Sequence, residues 1–74
     1  MYTIAALYHF TRFEDPAALK PALLALCEAQ SVMGTLLLAP EGVNGTIAGP
    51  RAGIDAVIAH LRALPGCADL EWKE

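Results

Sequence analysis

Apolar and polar positions alternate along the first ten residues. Ile4, Ala6, Tyr8 and Phe10 share one face at period two, and Ala5, Leu7 and His9 share the other. That spacing predicts a strand over Tyr2–Phe10 that is apolar on both sides. Thr11–Glu14 reads as a loop. Asp15-Pro16 is a helix-start pair, because Asp15 caps free N–H groups and Pro16 suits the first helical position. Leu19, Leu23, Leu26 and Cys27 then recur at helical spacing, predicting a helix that ends near Ala29. Its start is ambiguous. Pro21 removes one helical hydrogen bond, so the helix is either kinked there or begins near Lys20.

Val32–Ala39 predicts a second strand and Val43–Ala48 a third. Pro40–Gly42 joins them as a tight hairpin turn. Arg51–Leu64 carries the clearest helical stripe, with Ile54, Val57, Ile58, Leu61 and Leu64 in line and Arg51, Asp55, His60 and Arg62 off it. His60 is therefore expected to face solvent. Pro65-Gly66 stops this helix. Leu70–Lys73 is a short last strand with Leu70 and Trp72 on one side. The order β-α-β-β-α-β is the ferredoxin-like split βαβ arrangement, an α+β class. Right-handed crossovers give an antiparallel sheet of order 4-1-3-2 with both helices on one face.

The other sheet face should then show a polar residue at every second position. Thr3 and His9 are the only polar relief in the first strand, and Thr35 in the second. Another domain, or a second copy of the chain, is expected to cover this face.

Composition sharpens that expectation. The chain has 74 residues, enough for one domain over 1–74, and is 55% hydrophobic but only 18% charged. A soluble domain averages roughly 25% charged residues. The mean hydropathy is +0.43. No apolar run approaches the ~20 residues of a membrane span, and no signal-peptide pattern opens the chain, which favours a cytoplasmic location without a membrane partner. The net charge is −3. The five cations (Arg12, Lys20, Arg51, Arg62 and Lys73) are scattered, so the basic footprint of a self-sufficient nucleic-acid binder is missing. Cys27 and Cys67 are forty residues apart with no Cys-x-x-Cys, which leaves zinc and dithiol sites unsupported. Of the two, Cys67 is expected to be the more accessible, following Pro65-Gly66 in a loop.

Candidate chemistry concentrates in Pro40–Gly45. Glu41, Gly42, Asn44 and Gly45 supply two turn signals where one hairpin needs one. Gly42 and Gly45 are readable as backbone geometry, the second as a bulge or a close backbone approach. Glu41 and Asn44 are readable as hydrogen-bonding groups for a partner or a polar ligand. Arg12, in the first loop, is either an anion ligand near a helix N-terminus or an ordinary solvated cation. His9 ends a strand and is more readily a packed, hydrogen-bonded residue than a base.

The stretch "GTLLLAPEGVNGTIAG", Gly34 to Gly49, resembles the signature of the rhodanese-domain-containing tRNA uridine hydroxylases, the TrhO family. "ALYHF", "ALLALCEAQSVMGT" and "LEWKE" extend the resemblance over nearly the whole chain. It implies an N-terminal acylphosphatase-like domain followed by a rhodanese-like domain. The implied activity is oxygen-dependent hydroxylation of the wobble uridine of tRNA to 5-hydroxyuridine. Neither "LCEAQ" nor "GCADL" resembles a rhodanese loop, so no catalytic residue is assigned to this chain. No metal ligand is assigned either, and the resemblance leaves the cofactor open. The rhodanese domain is absent from these residues, Glu41, Gly42, Asn44, Gly45 and Arg12 remain substrate or interface candidates, and the implied partners are the rhodanese-like domain and, through the parent, tRNA. Two other functional readings stay open. One is a stand-alone acylphosphatase using Arg12 and Asn44, although "HFTRFEDP" lacks the glycines of a phosphate cradle. The other is a module that self-associates through the open sheet face.

Overall fold

A computed structural model describes residues 2–74. Strand β1 (Thr3–Phe10) leads into helix α1 (Pro16–Ala29), then β2 (Met33–Ala39), β3 (Gly42–Gly49), helix α2 (Arg51–Arg62) and β4 (Glu71–Lys73). The four strands form one antiparallel sheet in the order β2-β3-β1-β4, the expected order read from the other edge. Both helices lie on one face, α1 over β2 and α2 over β1 and β3.

The alternation in β1 decides which face is which. Ala5 and Leu7 point to the helices and are buried, while Ile4, Tyr8 and Phe10 point away and are exposed. Val43 and Ile47 of β3 and Leu38 of β2 join the buried side. The α2 stripe of Ile54, Val57, Ile58 and Leu61 closes over them, with Leu23 from α1 and Leu70 ahead of β4. Leu64 falls just beyond α2, where its N–H donates to the Leu61 carbonyl in a tighter final turn. His60 is half-buried rather than fully solvent-facing.

Helix α1 begins at Pro16 and runs through Pro21. Asp15 caps it by accepting from the Ala18 N–H at 3.3 Å. The cap and the Leu19, Leu23 and Leu26 contacts with the core hold the helix together across the missing Pro21 donor. At its other end, Val32 N–H donates to the Cys27 carbonyl at 2.9 Å and Ser31 N–H to Glu28 at 3.3 Å. This is a Schellman ending, and Ser31 occupies its left-handed position at φ 57°.

Three residues make a marginal strand, and β4 is held by its neighbours on α2. Arg51 forms a two-pronged ion pair with Glu74, one prong being Nη1 to Oε2 at 2.6 Å, and also reaches Asp55 at 3.4 Å. Trp72 Nε1 donates to the same carboxylate at 3.2 Å. The Arg62 guanidinium sits 5.6 Å from the centre of the Trp72 ring and donates to the Ala68 carbonyl. Arg51 is the first residue of α2, where a cation opposes the helix dipole, and Glu74 and Asp55 offset that charge.

Two predictions follow from these ends. Ser31→Gly is expected to stabilise the domain by about 0.5–1 kcal/mol, since relief of left-handed strain (~1–2 kcal/mol) exceeds the added chain entropy of glycine. Thermal melts read this as a rise of several degrees, and an unchanged or lower midpoint contradicts the assignment. The second concerns Glu74. Hydrogen bonds from Arg51 first, then Trp72, hold its carboxyl below its ordinary value of 4.5, at about 2. A depressed carboxylate contributes stability that is present above the unfolded value and lost as pH falls through the folded one. Stability should therefore decline between about pH 4.5 and 2 through this group. Comparing melts across that window, Glu74→Gln should flatten the decline, and an identical slope in both proteins would contradict the tether.

Candidate functional site

The five candidate residues fall into three places. Arg12 and Glu41 lie together at one end of the sheet. Thr11 N–H donates to the Glu41 carbonyl at 3.0 Å and Phe13 N–H to the Pro40 carbonyl at 3.1 Å, so the β1–α1 loop is laced to the β2–β3 hairpin. Phe13 is buried and pins that loop into the core. Arg12, between them, is exposed, as is Glu41, and neither forms an ion pair among the described residues. The lacing bears on phosphate chemistry. Two N–H groups of the first loop are already committed to hairpin carbonyls, so they do not converge on an anion beside Arg12.

Gly42 and Gly45 serve the sheet. Pro40 and Glu41 form the two-residue loop, and Gly42 pairs with Ala39 across it and with Phe10 on the far side. A Cβ on Gly42 would stand 2.1 Å from the His9 carbonyl oxygen. Gly45, at φ 153°, sits between Leu7 and Leu36, and a Cβ there would stand 2.0 Å from the Thr35 carbonyl oxygen. The backbone that approaches Gly45 is therefore β2, within the sheet. The register runs through Gly45 without an inserted residue, so it marks a close approach and not a bulge. β3 is paired on both sides, as the expected strand order requires, so Asn44-Gly45 presents no free backbone edge.

Asn44 is different. It lies on the face away from the helices, exposed, with Tyr8 directly across on β1 and Leu37 directly across on β2. Around this row are Ile4 (60% exposed), Tyr8 (62%), Phe10 (71%), Met33 (60%) and Leu37 (58%). Tyr8 and Phe10 pack edge to face, with ring centres 4.9 Å apart. Thr35 and Thr46 form a cross-strand pair in the next row, and Glu71 and Lys73 from β4 border the patch. The candidate surface is thus an apolar sheet face with one amide at its centre. The motif reading singled out Asn44 but passed over Tyr8, Phe10 and Leu37, although the period-two faces had already placed Tyr8 and Phe10 together.

His9 Nε2 lies 2.7 Å from the Gly66 carbonyl. A carbonyl only accepts, so Nε2 carries the proton, and the ring ties β1 to the α2–β4 loop. Cys67, expected to be the more accessible thiol, is fully buried, because the turn after Pro65-Gly66 folds it under the sheet's helical layer and into the core. Cys27 is the partly exposed one. Burial pushes both thiols up, away from the thiolate form a nucleophile needs. Both cysteines are free. Among the described residues, no three His, Cys, Asp or Glu side chains come together as a metal site. No helix of the described chain is long and apolar enough to cross a membrane.

Comparison with known proteins places this geometry. A protein of Ruegeria pomeroyi named tRNA uridine(34) hydroxylase is 85% identical over all 74 residues, and one of the same name from Roseobacter denitrificans is 82% identical. A Caulobacter vibrioides protein, also so named, is 70% identical over 72 residues. The chain spans about a quarter of the length of these relatives, 25%, 25% and 23% respectively. Residues 2–74 match the family described as UPF0176 acylphosphatase like domain, and the chain belongs to that family.

Proposed function

We propose that this chain is the non-catalytic N-terminal domain of a tRNA uridine hydroxylase, and that its open sheet face packs on a rhodanese-like catalytic domain of the same parent. The observation that carries the reading is the uncovered face itself. Five large apolar side chains stand exposed on one side of a sheet whose other side carries both helices and the core. Covering one such side chain contributes about 1.5–3 kcal/mol. The relatives named tRNA uridine(34) hydroxylase are about four times as long, so they hold ample chain to cover it.

Asn44 is the specificity element of this interface. An apolar patch alone fixes neither register nor partner. An amide at its centre becomes a buried polar group on covering, and leaving it unpaired costs about 1–3 kcal/mol. The covering surface must therefore present a complementary donor or acceptor at that point. Arg12 and Glu41, at the end of the same sheet, lie at the rim of the patch, where charges set orientation and encounter rate more than affinity. With a net charge of −3, the domain shapes tRNA recognition through its partner domain and does not supply the cationic surface.

The test uses the full-length parent. Phe10→Asp and Leu37→Asp each place a carboxylate on the covered face, and Asn44→Ala removes the central amide. We expect tRNA 5-hydroxyuridine, measured by nucleoside mass spectrometry, to fall about tenfold for each, as a loss of one to three kcal/mol dictates. The single melting transition should split in the two aspartate variants. Full modification with one unsplit transition in all three would overturn the covered-face reading.

A further inference from the structure

The sheet has two edges, and they differ. Strand β2 is one, unpartnered on its outer side among the described residues. Strand β4 is the other, and it covers only part of its neighbour. β1 pairs with β3 from Thr3 to Phe10, yet on its outer side it pairs with β4 only from Ala6 to Tyr8. Near the Phe10 end the loop ahead of β4 takes over, where the His9 ring donates to the Gly66 carbonyl. At the other end, Thr3 and Ile4 have no strand outside them. No backbone hydrogen bond from beyond the sheet reaches either residue among the described residues. Neighbouring residues of a strand turn their N–H and C=O groups to opposite sides, so one of these two presents a donor and an acceptor outward.

We propose that the two residues following Glu74 in the parent fill this gap, extending β4 antiparallel along Ile4 and then Thr3; this rests on the chain being the N-terminal domain of a longer protein. The occupant is identified by register. Tyr8 faces Glu71, Leu7 faces Trp72 and Ala6 faces Lys73. Glu74 therefore comes opposite Ala5, the residue after it opposite Ile4, and the next opposite Thr3. Glu74 already stands in strand phase. Ala5 and Leu7 are buried on the helical side, and alternation puts Glu74 and Trp72 on that side with them. Both side chains are found there. Trp72 Nε1 donates to the Glu74 carboxylate, which Arg51, at the start of α2, grips with two N–H groups. Ala5 is 0% exposed and Ile4 60%, so the edge is closed as far as Glu74 and opens one residue further on. The next residue reaches Ile4 without a loop, at ~3.4 Å per residue. Being joined to Glu74, it also outcompetes any separate strand through effective concentration.

The extension gives the Arg51–Glu74 pair a positioning role. It fixes the register of β4 at the point where the chain passes to the rest of the parent. The residue after Glu74 then sets its side chain on the open face, beside Ile4 and Lys73, because side chains alternate along the strand. The chain leaves past the Thr3 end of β1, away from Arg12 and Glu41. The covering domain is thus entered from the end of the patch where Ile4 and Met33 flank Ala48.

Amide NMR of the full-length parent, deuterated with protonated amides, tests this. One cross-strand amide–amide contact is expected. It joins Ile4 to the residue after Glu74 if Ile4 is the outward residue, and Thr3 to the one beyond if Thr3 is. The outward amide should exchange with solvent deuterium at least about tenfold more slowly than unstructured backbone. Arg51→Gln should speed that exchange about threefold or more, while the amides that β1 gives to β3 keep their rates. A contact from Thr3 or Ile4 to another segment, a shifted register, or an outward amide exchanging at the unstructured rate overturns the proposal. Unchanged exchange in Arg51→Gln overturns the positioning role of the pair. Full tRNA hydroxylation without the cross-strand contact defeats the extension alone. The contact in a parent that does not hydroxylate tRNA defeats the functional reading and leaves the extension standing.

Discussion

Two right-handed crossovers place α1 and α2 on the same side of one four-stranded sheet, and this one-sidedness governs the molecule. Two helices cover one face only. A sheet whose strands are apolar on both sides can bury Ala5, Leu7, Val43 and Ile47 under them, but it must leave Ile4, Tyr8, Phe10 and Leu37 outside. No rearrangement within these residues removes the conflict. Moving β1 by one residue would exchange the two faces and present Tyr8 and Phe10 to the helices instead. Tyr8 in the place of Leu7 would then overfill a core already closed by Ile54 and Leu61.

The glycine-rich signature makes sense within that constraint. β3 is a central strand pressed between β1 and β2, and Gly42 and Gly45 lie where those neighbours' carbonyls come within about van der Waals contact of the Cα. Their role is to let three strands lie flat against one another in register. Between the glycines, Val43 is buried beneath the helices and Asn44 is displayed on the open side, so the alternation of one strand separates a packed side chain from an exposed amide.

Much of this was legible in the sequence. The apolar runs and the two helical stripes located all six elements, Asp15-Pro16 marked the start of α1, and Pro65-Gly66 placed the end of α2 within two residues of Arg62. The uncovered face was legible because polar residues were missing where a solvated sheet needs them. The failures have local physical causes. Pro21 left open a start near Lys20, but the Asp15 cap and the core contacts on the far side of the lost bond start α1 at Pro16. Ser31 gave no signal as a left-handed residue, because the Schellman bonds impose that conformation on a side chain without the usual glycine. Cys67 looked exposed from its turn neighbours, yet burial is set by where a turn lies relative to the core. Arg51 looked like a solvated charge, since its partner Glu74 is remote in sequence and meets it only after β4 has paired with β1.

The two unpartnered surfaces are orthogonal, and that separation follows from strand order. The open face spans the sheet and is bordered by Glu71 and Lys73 on β4, the strand from which residue 74 leaves. The β2 edge lies two strands beyond β1, at the far side. A partner that covers the face approaches perpendicular to the sheet, whereas a strand that extends the edge approaches in its plane. The apolar groove between β2 and α1 opens at this edge, and Met33 and Thr35, which stand on the open face, also line it, whereas Leu37 of the Asn44 row does not. Leu36 and Leu37, neighbours on β2, point to opposite sides of the sheet, so the two surfaces meet within one strand.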